Sequence, residues 1–241
     1  MGGVVKKPAR RHSRASAMRT CYGMSSREKR NTMKFYDCKT APSPRRARIF
    51  LAEKGLTVET VQVDLAGGEH LSEAFRKINP WCTVPALVLD DGTTISEAVA
   101  VCRYLEEAYP DPPLMGRDAK EKAIVAMWDH HCEVDGFLAV AEALRNASPR
   151  MRGRALPGFA DVAQIPELVE RGKARVQRFF TELDDRLGES AYVADDRYTI
   201  ADITAQVTVD FAAWIKLRPG EEHGHLRRWH ESVSRRASAA A

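Results

Sequence analysis

The sequence predicts a small α/β domain built on a four-stranded sheet, followed by an all-helical domain. Three observations carry this reading. Residues 34–108 alternate strand and helix patterns in the order β, α, β, α, β, β, α; the stretch Tyr109 to Gly116 breaks the chain with Pro110, Pro112 and Pro113; beyond it apolar residues recur at helical spacing. The chain accordingly divides into a basic segment 1–32, an α/β domain 33–109, a linker 110–118 and a helical domain 119–241.

Lys34 to Asp37 reads as the first strand. A helix is expected from Pro44 to Lys54, with Ser43 as its N-cap, Pro44 at the first helical position and Gly55 closing it. Val58 to Asp64 forms a second strand, Leu71 to Ile78 a short helix, and Ala86 to Asp90 and Thr93 to Ile95 a hairpin turning at Asp91-Gly92. Ser96 to Ala108 completes the domain as a helix. A right-handed βαβ crossover with a hairpin added to the same sheet gives four strands flanked by helices. Three prolines in the linker remove backbone donors and restrict their neighbours, so no helix passes through. The helical domain is read as Ala119 to Asn146, a Pro/Gly/Arg-rich loop to about Pro166, then Glu167 to Leu187, Thr199 to Trp214 and Leu226 to Arg235.

The chain has 241 residues, of which 44% are apolar and 29% charged, enough for a sizeable core. No run approaches the roughly 18 apolar residues that span a bilayer, so no membrane partner is expected. Residues 1–32 hold nine basic side chains against the single acid Glu28, and the rest of the chain is mildly acidic, with no basic footprint for nucleic acid. The basic segment reads as disordered; a start at Met18, Met24 or Met33, a basic arm and a targeting peptide are the three accounts of it. Five cysteines without a CxxC pair point to reduced thiols and a cytoplasmic setting. His130, His131 and Cys132 are consecutive and cannot all face one ion from a helix, so no metal is expected.

Three segments carry a family resemblance: Asn79-Pro80-Trp81-Cys82-Thr83-Val84-Pro85-Ala86-Leu87, Ile95-Ser96-Glu97-Ala98 through Arg103-Tyr104-Leu105, and Tyr198-Thr199-Ile200-Ala201-Asp202-Ile203. In that order and spacing, residues 33–236 resemble the cytosolic glutathione transferases of bacterial type. The resemblance implies a thioredoxin-like N-terminal domain that binds glutathione and a helical-bundle domain that shapes a pocket for a small hydrophobic electrophile. It further implies a detoxifying homodimer with glutathione as co-substrate. Val84, before a cis Pro85, would pair its main chain with the tripeptide as an added strand does; an ordinary turn at a strand start is the alternative. Glu97 would accept the γ-glutamyl ammonium and the Ala98 amide its carboxylate, although the family usually has Ser at that second position. A first-turn acid is the alternative account of Glu97. His70, fourteen residues before Val84, corresponds to the family's contact with the glycyl carboxylate; a solvated loop His is the other account. Thr199 and Asp202 form a capping box, a folding feature.

The catalytic loop is Asp37-Cys38-Lys39-Thr40-Ala41-Pro42-Ser43-Pro44-Arg45-Arg46. The family's thiol-activating position falls on Ala41, which has no hydroxyl, leaving Thr40 and Ser43 as catalytic candidates, with the N-cap role a sufficient account of Ser43. Cys38 would support thiol-transfer, reductase or peroxidase chemistry instead, although a buried strand thiol explains it. Arg45 and Arg46 lend positive potential or are simply solvated. Trp128, His131, Phe137 and Trp214 line the second pocket or belong to the core. A transferase fold that has lost its chemistry and serves as a binding or regulatory module is the remaining alternative, favoured by Ala41 and Ala98.

Overall fold

Phe35 and Asp37 face inward and Lys34 outward, the period-two pattern that makes Lys34–Asp37 a strand, β1. The computed structural model describes residues 33–241, so the basic segment and its alternative starts lie outside the described residues. A crossover helix, α1 (Pro42–Glu53), returns the chain to β2 (Glu59–Gln62), which pairs parallel to β1. A 3₁₀ turn, Glu69–Leu71, and a single helical turn, α2 (Glu73–Arg76), replace the longer helix read over 71–78. Ser72 caps α2 by accepting from the Phe75 N–H, a local bond that stops the helix from extending upstream. β3 (Ala86–Val88) and β4 (Thr94–Ser96) form the hairpin and α3 (Ala98–Ala108) follows. The sheet order is β2-β1-β3-β4, with β3 antiparallel to both neighbours.

The two faces of β1 serve different cores. Phe35 packs with Ile49 and Phe50 of α1, Leu87 of β3 and Leu105 of α3 in the main cluster, whereas Tyr36 on the opposite face joins Phe75, Val63 and Val84. The main cluster continues without interruption into the helical half, through Phe137, Phe180 and Ile203.

The proline-rich linker is fastened to the α/β half. The buried Lys54 Nζ lies 2.6 Å from a Glu106 carboxylate oxygen and donates to the Pro112 carbonyl, also 2.6 Å; the same carboxylate accepts the N–H groups of Leu114 and Met115. Leu114 and Met115 themselves are buried.

Beyond the linker, Asp118 caps α4 (Ala119–His131) by accepting from the Lys120 and Glu121 N–H groups. The long helix read over 119–146 is continuous but not uniform. Cys132–Phe137 winds as a π turn between α4 and α5 (Leu138–Ala147). Gly136 sits at its narrowest point, where an added Cβ would come within 2.8 Å of Phe179 and Thr208 side chains. α6 (Glu167–Glu189), α7 (Ile200–Ala212) and α8 (Gly224–Ser234) complete the bundle. α7 is buried on nearly every face, and its capping box is present as read, with the Asp202 carboxylate accepting from the main-chain N–H of Thr199 and Val193 and from Trp229 Nε1. Burial lifts the Asp202 pKa to about 6, against the opposing pull of these hydrogen bonds. Among the described residues, no helix is long and apolar enough to cross a membrane, and no group of three His, Cys, Asp or Glu side chains is placed to hold a metal ion.

Candidate functional site

Strand register gathers the candidate residues at one end of the sheet. Tyr36 of β1 lies opposite Ala86 of β3, and Ala86 opposite Ser96 of β4. The end of β1, the start of β3 and the junction of β4 with α3 therefore share an edge, bringing the 38–43 loop, Val84-Pro85 and Glu97-Ala98 together. β2 runs parallel to β1, so the turn carrying His70 leaves the sheet at the same end.

A clamp centred on the buried Asp37 holds the loop after β1. The Asp37 carboxylate accepts from Arg48 Nη1 at 2.5 Å and from Gln62 Nε2 at 2.8 Å; Arg48 Nη2 also donates to the Lys39 carbonyl, and Gln62 Oε1 accepts the Lys39 N–H. These contacts fix the main chain from which Thr40 projects, exposed to solvent. Cys38 lies one residue past the strand and is half-buried, with Sγ 3.5 Å from Thr40 Oγ1; the buried strand thiol expected from the sequence is not what forms.

The start of α1 also differs from the reading. Ala41, not Ser43, is the N-cap, and Pro42 occupies the first helical position. A turn bond from the Ala41 N–H to the Cys38 carbonyl sets this boundary two residues early. Ser43 consequently lies inside the first turn, where its hydroxyl accepts from Arg46 Nη2 at 3.3 Å. Pro42 and Pro44 have no N–H, so among the first three helical residues Ser43 alone offers an amide. No side chain caps this helix and no acid lies in its first turn, which leaves its positive end open to an anion.

The Val84-Pro85 peptide is cis. Val84 precedes the first residue of β3, and its N–H and C=O make no backbone hydrogen bond among the described residues. Glu97 is the N-cap residue of α3 rather than a member of its first turn, with φ of 72°, a left-handed conformation unusual for a side chain of its size. Such backbone costs about 1–3 kcal/mol and is concentrated at binding sites. The Glu97 side chain is exposed and makes no capping bond, while Ala98 opens α3 and is buried.

His70 is 7% exposed, not solvated, and its Nδ1 meets no partner. Burial pushes its pKa down, and the nearby guanidinium groups of Arg154 and Arg145 push it further, so the ring is neutral at neutral pH.

Arg45 and Arg46 are ion-paired rather than solvated. Arg45 reaches Asp210 at 2.6 Å and the Ala239 carbonyl. Arg46 is buried, stacks 4.3 Å from the Phe137 ring centroid and pairs with Glu133 of the π turn at 3.1 Å. Phe137 contacts Phe211, which contacts Trp214, itself 54% exposed. This aromatic row runs from the first turn of α1 to the surface. Trp128 and His131 belong elsewhere, to a groove of about 270 Å³ between α4 and α6 shared with Met127 and Leu183. Of the four aromatic candidates, only Phe137 and Trp214 connect to the loop after β1. The Asp37, Arg48 and Gln62 clamp escaped sequence reading because its members are 11 to 25 residues apart and follow no pattern.

The fold recurs in known proteins. Residues 40–108 match the model of the glutathione S-transferase N-terminal domain, and residues 127–237 that of the glutathione S-transferase C-terminal domain. The chain is 34% identical over 208 residues to glutathione S-transferase 2 of Saccharomyces cerevisiae, covering 86% of this chain and 87% of that one. It is 31% identical over 187 residues to maleylacetoacetate isomerase of Pseudomonas aeruginosa, covering 63% of this chain and 85% of that one. The crystal structure of a glutathione S-transferase domain-containing protein from Marinobacter aquaeolei superposes with a TM-score of 0.80 at 37% identity, covering 85% of this chain and 98% of the other.

Proposed function

Because the chain belongs to the glutathione S-transferase family, we propose that it binds glutathione at the sheet end described above and transfers its thiol to small hydrophobic electrophiles. The observation that carries this reading is Val84, whose main-chain N–H and C=O stand unpaired before a cis proline, between the loop after β1 and the start of α3. An extended peptide pairs with such a residue as an added strand would. Glu97 then accepts the γ-glutamyl ammonium, the Ala98 N–H donates to the γ-glutamyl carboxylate, and His70 faces the glycyl end.

The thiol falls beside the open end of α1. There the Ser43 N–H and hydroxyl, with the Thr40 hydroxyl, donate to a thiolate, and the helix dipole favours its negative charge. The thiol proton leaves to solvent, sulfur bonds to the electrophilic carbon, and the leaving group departs with the electron pair of the broken bond. Phe137 and Trp214 offer the apolar wall for the electrophile. The protein is further proposed to act as a cytoplasmic homodimer in detoxification, in keeping with its four free cysteines among the described residues and the two-fold symmetry common to soluble oligomers.

The match to maleylacetoacetate isomerase favours a second reaction at the same site. There the thiolate adds to a conjugated carbon–carbon double bond and leaves its charge on an enolate, the resulting single bond rotates, and elimination re-forms the double bond and returns the thiolate, so glutathione is not consumed.

Calorimetric titration with glutathione tests the binding step, and assay with an aryl halide and with a cis-enone diacid tests the two reactions. Thiol loss matching product supports conjugation; product without thiol loss supports isomerisation. Ser43→Ala and Thr40→Val are expected to slow either reaction about tenfold or more, and unchanged rates in both would remove these residues from thiol activation. Loss of activity in Cys38→Ala alone would move the chemistry to a redox reaction. Absence of glutathione binding would refute all of these enzymatic readings.

A further inference from the structure

Two side chains of α1 reach out of the α/β half from opposite ends of the helix. Arg45, in the first turn, pairs through Nη1 with Asp210 of α7 at 2.6 Å and donates from Nη2 to the Ala239 carbonyl at 3.2 Å. Glu53, the last residue of the helix, accepts a fork from Arg236 Nε and Nη2 at 2.7 Å each and a further bond from the Ser238 hydroxyl. Arg45 and Glu53 stand about two turns apart, so residues 236–239 run alongside α1 and touch it at both ends.

The local sequence shapes this segment for that contact. α8 ends with Arg235 as its C-cap, Arg236 turns extended, and Ala237–Ala240 winds as a 3₁₀ turn of small residues that brings its main chain against the helix. Arg236 also lies over the buried Tyr198 ring, 4.0 Å from its centroid, which fixes the guanidinium that holds Glu53. Burial would lift the Glu53 pKa, but the bonds from Arg236 and Ser238 outweigh it and hold the carboxyl below its usual range. At the other end Asp210 is shared, with His230 Nε2 of α8 lying 2.8 Å from its second oxygen. Burial opposes ionisation there too, and His230 and Arg45 together hold the Asp210 pKa low. The charge of Arg45 is thus neutralised where it stands.

We propose that residues 236–239 and Asp210 brace α1 so that its first turn presents the Ser43 N–H to the glutathione thiolate, with Arg45 as the positioning residue through which the brace acts. This rests on the glutathione-binding reading above and assigns part of thiol activation to contacts on the far side of the helix. Pro42 and Pro44 carry no N–H, so one amide stands where three would ordinarily serve. A hydrogen bond weakens steeply as it goes out of line, and the helix-end field fades within the first turn. A small tilt or slide of α1 therefore raises the thiol pKa without removing any group that meets the tripeptide.

The test reads the pKa of the bound thiol from the pH dependence of its thiolate absorbance in the wild type, Asp210→Asn and Arg236→Met. Thermal melting and calorimetric titration with S-methylglutathione, which keeps every group except the ionisable thiol, run alongside. Each variant is expected to raise the bound-thiol pKa by about half a unit and to bind S-methylglutathione as the wild type does. Asp210→Asn leaves the Arg45 charge in place and frees it, so a direct action of that charge on the thiolate predicts a fall instead. Such a fall, or an unaltered thiol pKa in either folded variant, would overturn the brace while leaving glutathione binding intact; a lowered melting temperature alone is all that a purely structural contact gives. Weakened binding of S-methylglutathione would overturn it equally, by placing the effect on the tripeptide rather than on its thiol. Should Arg236→Met fail to fold, Arg236→Lys, which keeps the charge but not the fork, is read by the same outcomes. A wild type that binds neither ligand refutes the glutathione reading and the brace with it.

Discussion

The Arg46 guanidinium lies 4.3 Å from the ring centroid of Phe137, and this stack joins the first turn of α1 to the π turn between α4 and α5. The same guanidinium bonds to Ser43 and Glu133, so one buried cation touches both the proposed thiol site and the start of the aromatic row. Arg46→Met preserves much of the stacked volume but removes the charge. It is expected to cost about 2–4 kcal/mol, because the partly buried Glu133 loses its partner. If Arg46 positions the second substrate, the KM for an aryl halide rises more than the dissociation constant for glutathione; chemical denaturation and steady-state kinetics on both substrates check the two effects.

Asp37 is the centre of the clamp that holds the loop after β1. In Asp37→Ala the partly buried Arg48 guanidinium is left without a counter-charge and Gln62 without an acceptor, at a cost of about 2–4 kcal/mol in urea denaturation. Asp37→Asn keeps one acceptor oxygen and is expected to lose less. A neutral result for Asp37→Ala would show that the loop is fixed by other contacts.

Asp202 gives a pH signature with a definite sign. Its folded-state pKa of about 6 stands above the ordinary aspartate value of 3.8, so the folded state binds the proton more tightly than the unfolded state does. The stability it contributes is full below about pH 4 and is lost as pH rises through 6. Asp202→Asn removes this slope and, by turning an amide N–H₂ toward the Thr199 N–H, lowers stability by about 1–3 kcal/mol. Melting temperatures of the wild type and variant between pH 4 and 7 are expected to draw closer as pH rises; a constant gap would count against the shifted titration.

Gly136 tests the tightness of the π turn. A methyl group there meets Phe179 and Thr208 side chains at 2.8 Å, well inside van der Waals contact. Gly136→Ala is expected to destabilise by about 1–3 kcal/mol through overpacking, although alanine is the better helix former. A stabilised variant would mean that the two neighbours give way freely.

Much of the fold could be read from the chain because its signals are local. The Asp91-Gly92 turn, the Thr199/Asp202 capping box and the prolines of the linker each act within a few residues, and the observed hairpin, α7 and helix break fall where they point. The start of α1 was misplaced because Pro42 and Pro44 are both compatible with a first helical position, and the turn bond from Ala41 to Cys38 decides between them. Val84, Pro85 and Glu97 are candidates that the family resemblance of their motifs singles out, and the strand register explains why they share an edge. Arg48 and Arg154 escape the sequence, and for Arg46 it leaves two accounts open: an arginine in a helix or loop reads as solvated unless its partner is known, and those partners lie as far away as Leu65 from Arg154 and Glu133 from Arg46.

The Lys54 and Glu106 pair has a consequence for anyone recombining the two halves. Cutting the chain after α3 and grafting another helical bundle would strip the pair of the Pro112 carbonyl and of the Leu114 and Met115 amides, leaving an under-coordinated ion pair in an apolar surround. A chimera that carries residues 109–116 with the α/β half keeps that shell whole. The natural seam for exchange therefore lies just before α4, not at the prolines.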